Sequence, residues 1–313
     1  MAKYRNALPQ LLGKPYLTDA GIETDLIFNH GLAIREFAAH TLLETEQGRK
    51  AVANYLKAFI SLAADLGVGY ILDSQTWKAH THWAEHLGAS ADELRSANTE
   101  AIKFISDIRS ESIFNAEPIV LNAIIGPRGD AYAPDRLQAA DEAEAYHKIQ
   151  LQWLADTDAD MVTAMTFTQS DEAIGIVRAA KSVGLPIVVS FTVETDGKLP
   201  TGETLSSAIT LVDDATDNGA AYFMINCAHP DHFTSVLEPG AWASRIRGIR
   251  CNASRKSHAE LDKSESLDDG NPTELASQYR KIYELLPSLS IFGACCGADL
   301  RHVREIAHAV ITK

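Results

Sequence analysis

One pattern runs through this chain from end to end: short apolar runs alternate with amphipathic stretches of helical length. The runs, rich in β-branched and aromatic residues, lie near Tyr16–Asp19, Gly69–Asp73, Ile119–Ile124, Asp160–Ala164, Pro186–Ser190, Ala221–Ile225, Ile246–Arg250 and Leu289–Phe292. Between them, helical stretches are predicted over Leu42–Gly67, Ser90–Phe114, Asp135–Asp156, Ser170–Val183, Thr204–Asn218, Asp231–Leu237 and Pro272–Leu285, with Leu300–Val310 closing the chain. The helical period is clear in Tyr146, Ile149, Gln150 and Trp153, and again in Ile174, Val177 and Ala180. Strand-then-helix units repeated in this way build parallel sheets, and eight of them predict an α/β fold of the closed (β/α)8, or TIM-barrel, type. An open doubly wound sheet is the competing arrangement. It usually carries a Gly-rich phosphate turn after its first strand, and none stands here. No Pro/Ser-rich linker, low-complexity run or repeat divides the chain, so residues 1–313 read as one barrel domain. The polar stretch Lys256–Asn271, after the seventh strand, is the expected mobile loop.

A barrel makes position along the chain informative, because active sites of such barrels lie in the loops at the C-terminal ends of the strands. Cys227 follows the sixth apolar run, and Cys295 and Cys296 follow the eighth, so cysteines distant in sequence are expected on one rim. Three thiolates on one rim form a soft ligand set, which favours zinc over magnesium or calcium. Gly293 and Gly297 flank the vicinal pair, and glycine permits the backbone angles that turn both sulfurs toward one ion. Two other readings stay open at this point. Buried cysteines often serve as small core hydrophobes, and the adjacent pair Cys295–Cys296 could form a strained, labile disulfide.

Composition excludes some functions. With 28 Lys and Arg against 42 Asp and Glu, the formal net charge of −14 argues against unassisted binding to nucleic acid or an anionic membrane. No stretch approaches the roughly 18 consecutive apolar residues of a membrane span, and the N-terminus lacks a secretory apolar run. Four cysteines in 313 residues do not make a disulfide scaffold. A reducing compartment such as the cytoplasm is therefore expected, where cysteine clusters more often mean metal or catalysis.

The strings FMINCAHP (223–230) and IFGACCGADLRHVREIA (291–307) resemble the two cysteine motifs of the homocysteine S-methyltransferase family. That family includes betaine- and S-methylmethionine-dependent enzymes and the homocysteine module of cobalamin-dependent methionine synthase. The likeness runs nearly end to end. LTDAGIETDLIFNHG resembles its opening segment, ILDSQTWKAH its second-strand segment, IIGPRGDAY its Gly-Pro turn and SFTVETDGKLPTGETLSSAI its fifth-strand region.

The resemblance implies a (β/α)8 barrel in which Cys227, Cys295 and Cys296 ligate zinc (Zn2+) and a substrate thiol completes the coordination. It implies an S-methyltransferase that passes a methyl group, in line, from a sulfonium or betaine-type donor to that thiol, homocysteine giving methionine in methionine biosynthesis. Zinc coordination would lower the thiol's pKa while leaving its sulfur able to attack. The partners implied are a small-molecule thiol and a methyl donor, with homo-oligomers possible. The chain ends just after its last helical stretch, so no appended folate or cobalamin domain is expected.

By the same likeness, Asp19 helps to position the amino-acid substrate, Asn226 hydrogen-bonds near the zinc or the substrate, and Trp77 shields the cationic donor by cation–π contact. Asp19 as a helix cap and Trp77 as core packing are the alternatives. Gly126 and Pro127 shape a rim turn. His80 and His82 have metal-ligand spacing but read as rim or surface residues. His229 and His232 flank the Cys227 loop, where they could support the ligands, and Cys251 reads as a bystander. Two positions depart from the pattern. Met165 stands where relatives place a Glu that contacts the substrate amine, and Glu23 replaces a small residue on the same mouth. Glu23 is thus a candidate substitute carboxylate. With Gln75 in place of an Asn, these departures also leave open an acceptor thiol other than homocysteine, or a barrel that binds without catalysing.

Overall fold

The computed structural model describes residues 2–111, 118–132 and 137–312. Eight parallel strands close a barrel in sequence order: β1 (Tyr16–Leu17), β2 (Gly69–Asp73), β3 (Ile119–Ile125), β4 (Met161–Phe167), β5 (Ile187–Phe191), β6 (Tyr222–Asn226), β7 (Ile246–Cys251) and β8 (Ile291–Ala294). β8 pairs back onto β1, which closes the ring. The crossovers carry helices α1 (Glu46–Asp65), α2 (Ala91–Arg109), α3 (Ala140–Ala155), α4 (Ser170–Val183), α5 (Leu205–Thr216), α6 (Pro230–Phe233) and α7 (Pro272–Leu285), and α8 (Leu300–Val310) follows β8. The expected (β/α)8 barrel is the observed one.

Departures from the expected elements have local causes. The stretch expected as a helix from Leu42 begins as a 3₁₀ segment, Ala39–Glu44. Thr45 then turns extended and accepts a hydrogen bond from the Gly48 N–H at 3.1 Å, which starts α1 one residue later. The helix expected over Asp231–Leu237 is only one turn, α6, followed by a 3₁₀ turn at Thr234–Val236, with Pro239 and Gly240 close behind. Ser90 is not the first helical residue but the cap of α2, in a reciprocal box with Glu93. The helix expected to run to Phe114 stops at Arg109, with Ser110 as its cap, and the one expected from Asp135 starts at Ala140; Phe114 and Asp135 themselves lie outside the described residues.

Strand side chains alternate between two apolar environments, as the two-residue period requires. One set, including Leu17, Leu72, Leu121, Val162, Val189 and Phe223, packs outward against the helices. The other, with Tyr16, Ile71, Val120, Met161, Val188, Tyr222, Met224 and Ile291, forms a separate cluster together with Leu8 from the N-terminal segment. Two residues further along four of these strands the sequence turns polar: Asp73 after Ile71, Asn122 after Val120, Ser190 after Val188 and Asn226 after Met224. All four are buried. The barrel thus has an apolar floor beneath a polar upper layer, and that layer holds the site. Among the described residues, no helix is long and apolar enough to cross a membrane.

Candidate metal centre and its cavity

The base of the site is a buried charge bridge. Arg250, on β7, pairs with Asp19 after β1 and with Asp73 at the end of β2. Its Nε also donates to the Ala294 carbonyl at 3.2 Å, and Nη2 to that of Ala20 at 3.3 Å. Asn122 donates to Asp73 at 2.8 Å and accepts from Thr163 at 3.0 Å, which ties the bridge to β3 and β4. Burial pushes the Asp19 carboxyl up, to about 7. Arg250 pulls against that, while Asp73 and Glu23 add to it. Burial alone would weaken Arg250's hold on its proton, but the two carboxylates more than offset it. Sequence reasoning missed Arg250. The available signal was the strand's alternation, which places Arg250, two residues past Gly248, on the barrel's inner face.

Directly beyond this bridge the three cysteines converge, their sulfurs all within 4.8 Å of one another. Cys227 has a positive φ of 52°, uncommon for a residue with a side chain. Hydrogen bonds hold it there. Its N–H donates to the Arg250 carbonyl at 3.0 Å. Its own carbonyl accepts from Asn252 Nδ2 at 2.9 Å and pairs with His258 Nε2 at 2.6 Å. Cys295 donates its N–H to the Cys251 carbonyl at 2.8 Å, and the Cys296 carbonyl accepts from Ala253 at 3.1 Å.

The flanking glycines act in two different ways. Gly297 has φ 78°, as expected for a turn, and its N–H donates to Thr24 Oγ1 at 3.1 Å. Gly293 is required by close approach instead, since a Cβ there would lie 1.9 Å from Thr18 Oγ1. Cys227 and Cys295 are joined as a disulfide, with Cα atoms 5.3 Å apart, and Cys296 is free. The pair that bonds is therefore the one across the rim and not the vicinal Cys295–Cys296. Cys251 is fully buried in the outer core, where burial pushes its thiol to about 12, and it lies outside the trio.

A cavity of about 480 Å³ opens above the sulfurs, and Asp19, Glu23, Gln75, Trp77, Met165, Arg250, Asn252 and all three cysteines line it. Its charged lining is mostly acidic, with Asp19, Glu23, Asp73, Asp130, Asp262 and Asp268 against Lys78 and Arg250. Burial raises the Glu23 carboxyl's pKa, while its own N–H, Lys78 and Arg250 act the other way. Trp77 presents its ring to the cavity while its indole N–H donates to the Met165 carbonyl at 3.1 Å. A Cβ on Gly126 would lie 2.7 Å from the Trp77 carbonyl, so the Gly126–Pro127 turn has a packing reason. Met165 faces the cavity beside a register shift in β4, and the next residue, Thr166, has φ 68°. The mouth bears Phe28, Phe37, Trp83 and Tyr132.

The stretch expected as a mobile loop forms one wall of the cavity. Ser254 to Asp268 contributes eight lining residues, and His258 bridges Glu194, at 3.1 Å, and the Cys227 carbonyl. His258 also lies against Tyr132, their ring centres 4.5 Å apart and the ring planes tilted by 40°.

Other expected residues lie elsewhere. Asn226 does not line the cavity. Its side chain bonds the Thr166 N–H and hydroxyl at 3.1 and 2.8 Å and the Ser190 hydroxyl at 2.6 Å, which joins the ends of β4, β5 and β6. His80 is buried rather than at the surface, 2.5 Å from the Tyr146 hydroxyl. His229 caps α6, and His232 pairs with the Arg255 carbonyl at 2.9 Å. Among the described residues, the cysteine trio is the only group placed to hold a metal. A larger groove of about 840 Å³ runs outside the barrel along α1 and the start of α8 and contains none of the three cysteines.

The family model for homocysteine S-methyltransferases matches residues 16–310. Betaine–homocysteine S-methyltransferase 1 of Rattus norvegicus is 27% identical over a match that covers 57% of this chain and 47% of the rat protein. The match thus spans about half the length of that relative. Among solved structures, the oxidized form of the Escherichia coli homocysteine methyltransferase superposes with a TM-score of 0.75 at 17% identity, covering 96% of this chain and 98% of that one. The metallated form of the same enzyme gives 0.74 at 16% identity, covering 97% and 100%.

Proposed function

The chain belongs to the homocysteine S-methyltransferase family, and on that premise we infer that it transfers a methyl group from a cationic donor to a small thiol, with zinc held by Cys227, Cys295 and Cys296. The observation that carries this is the convergence of three sulfurs within 4.8 Å at the wall of a cavity. Once the Cys227–Cys295 disulfide is reduced, the donor set fits the ion: it is soft, it gathers at one point of the rim, and three protein ligands leave one position for substrate. When bound, zinc would supply the Lewis acidity that keeps the acceptor sulfur as thiolate at neutral pH.

The remaining work falls to the chain's own residues. The thiolate's electron pair forms the new bond to the methyl carbon, and the donor leaves with the electrons of the bond that breaks. No proton has to move in that step, so the protein's task is alignment. Hydrogen bonds from Asn252 and His258 fix the Cys227 loop. The acidic lining together with Trp77 and Trp83 suits a cationic donor. Lys78 already holds its Nζ 3.8 Å from the Trp83 ring centre. Glu23 supports recognition of the acceptor's amine. Asp19, already paired with Arg250, reaches the substrate through the same bridge.

Homocysteine is the acceptor that the family points to, with a sulfonium or betaine-type donor. Met165 on the cavity wall favours one alternative, a different thiol, because an apolar side chain cannot pair with an amine. The test is metal analysis of reduced protein, followed by a screen of thiols and methyl donors with product masses recorded. One zinc per chain, lost in Cys295→Ser together with methyl transfer, is the expected result. Unchanged zinc in that variant would remove the proposal's basis, and zinc without turnover of any thiol would leave a binding protein.

A further inference from the structure

One carboxylate outside the reaction cavity is buried without a lysine or arginine to answer it. Asp25 is 9% exposed and lines the groove that runs along α1 and the start of α8. Aspartates are seldom buried so deeply unless they are paired. Its Oδ1 accepts from Asn29 Nδ2 at 2.7 Å, a neutral donor. Among the described residues its Oδ2 has only His30 Nε2, at 3.6 Å, and that ring carries charge only when protonated. The groove's other carboxylate, Asp299, is answered by Arg301 at 2.7 Å, and Arg301 also holds Asp269. Lys50, the remaining cation of the lining, is exposed and forms no ion pair among the described residues.

The space beside Asp25 suits an apolar body. At about 840 Å³ the groove is within the range of small-molecule sites. Leu26 and Phe59, both buried, line its inner side with Tyr55. Ala51 and Ala58, two turns apart on α1, keep the wall low over about 10 Å. A metal ion does not match this lining, because it needs several oxygen or nitrogen donors, and the cysteine trio is the only such cluster among the described residues. A carboxylate in an apolar groove selects instead an organic cation. The groove is separate from the reaction cavity but shares a turn with it. Along residues 21–32, Glu23, Thr24 and Phe28 line the cavity, whereas Asp25, Leu26 and Asn29 line the groove.

We propose that this groove is a second ligand site, in which Asp25 holds the ammonium group of an amphipathic organic cation. The ligand's apolar part lies on Leu26, Phe59 and the alanines of α1. The site needs nothing from the cysteine trio and stands whatever the reaction cavity turns over.

The probe is 2-phenylethylammonium, compared by calorimetric titration with 2-phenylethanol, its neutral counterpart. The wild type is expected to bind the cation about tenfold or more tightly, the scale of one hydrogen bond between charged groups. Asp25→Asn keeps the shape of the side chain and should bring the cation down to the level of the alcohol. Ala58→Trp fills the groove while keeping the carboxylate, and should weaken both probes. Glu23→Gln, on the other face of the shared turn, should change neither. Wild-type protein that binds neither probe, or both equally, would overturn the site. So would a cation preference that survives Asp25→Asn and falls in Glu23→Gln, because the amine would then sit in the reaction cavity.

Discussion

Each charged side chain at this barrel's mouth answers to its neighbours more than to its own chemistry. Arg250 is the clearest case, because two buried carboxylates depend on it. Replacing it with leucine leaves Asp19 and Asp73 without a counter-charge, and losing one partner of a buried ionic cluster typically costs about 3–5 kcal/mol. Urea denaturation of Arg250→Leu should show a loss of that size, partly recovered by adding Asp73→Asn. A loss within the error of the measurement would mean that the bridge contributes nothing. Glu23 is the opposite case, a carboxylate on the cavity wall whose pKa burial has raised. Glu23→Gln should raise the KM for homocysteine by about tenfold with kcat little changed, because a charge-assisted contact is removed from ground state and transition state alike. A KM equal to wild type would show that the amine is bound without it.

Among the elements, the segment between β7 and α7 departs furthest from what its composition implies. Polar and rich in serine, it reads as a mobile loop, yet it walls the cavity and carries a helical turn, His258–Leu261, with its own capping box from Ser257 to Glu260. His258 is its tether, reaching Glu194 on one side and the Cys227 carbonyl on the other. His258→Ala should leave the barrel's melting temperature nearly unchanged while cleavage inside this segment by a nonspecific protease becomes faster, since only the local opening energy falls. Cleavage at the wild-type rate would place the tether elsewhere.

For the molecule as a whole, acid should destabilise through histidines held neutral. Burial, helped by Arg35, lowers His40 to about 4 from an ordinary value near 6.5. Because the folded pKa is depressed, this histidine's stabilisation is complete above about 6.5 and is lost as the pH falls toward 4, at most about 3 kcal/mol in all. His40→Gln should therefore flatten the decline of melting temperature across that window while leaving the neutral range little changed. An identical slope in the two proteins would exclude His40 as a source of acid sensitivity.

What the sequence determined by itself was whatever repeats or clusters locally: eight strand–helix units, and with them the barrel; the rim positions of Cys227, Cys295 and Cys296; the turn at Gly297. Each follows from periodicity or from a glycine's freedom, physics that acts over a few residues. Tertiary structure alone decided the rest. It paired Cys227 with Cys295 rather than Cys295 with Cys296, turned Asn226 into a tie between strands, and brought Arg250 to two aspartates far away in sequence. It also left Gln75 and Asn252 each with one acceptor unmet. Whether a buried polar group is satisfied depends on atoms contributed by strands on opposite sides of a closed barrel, and no local pattern carries that information.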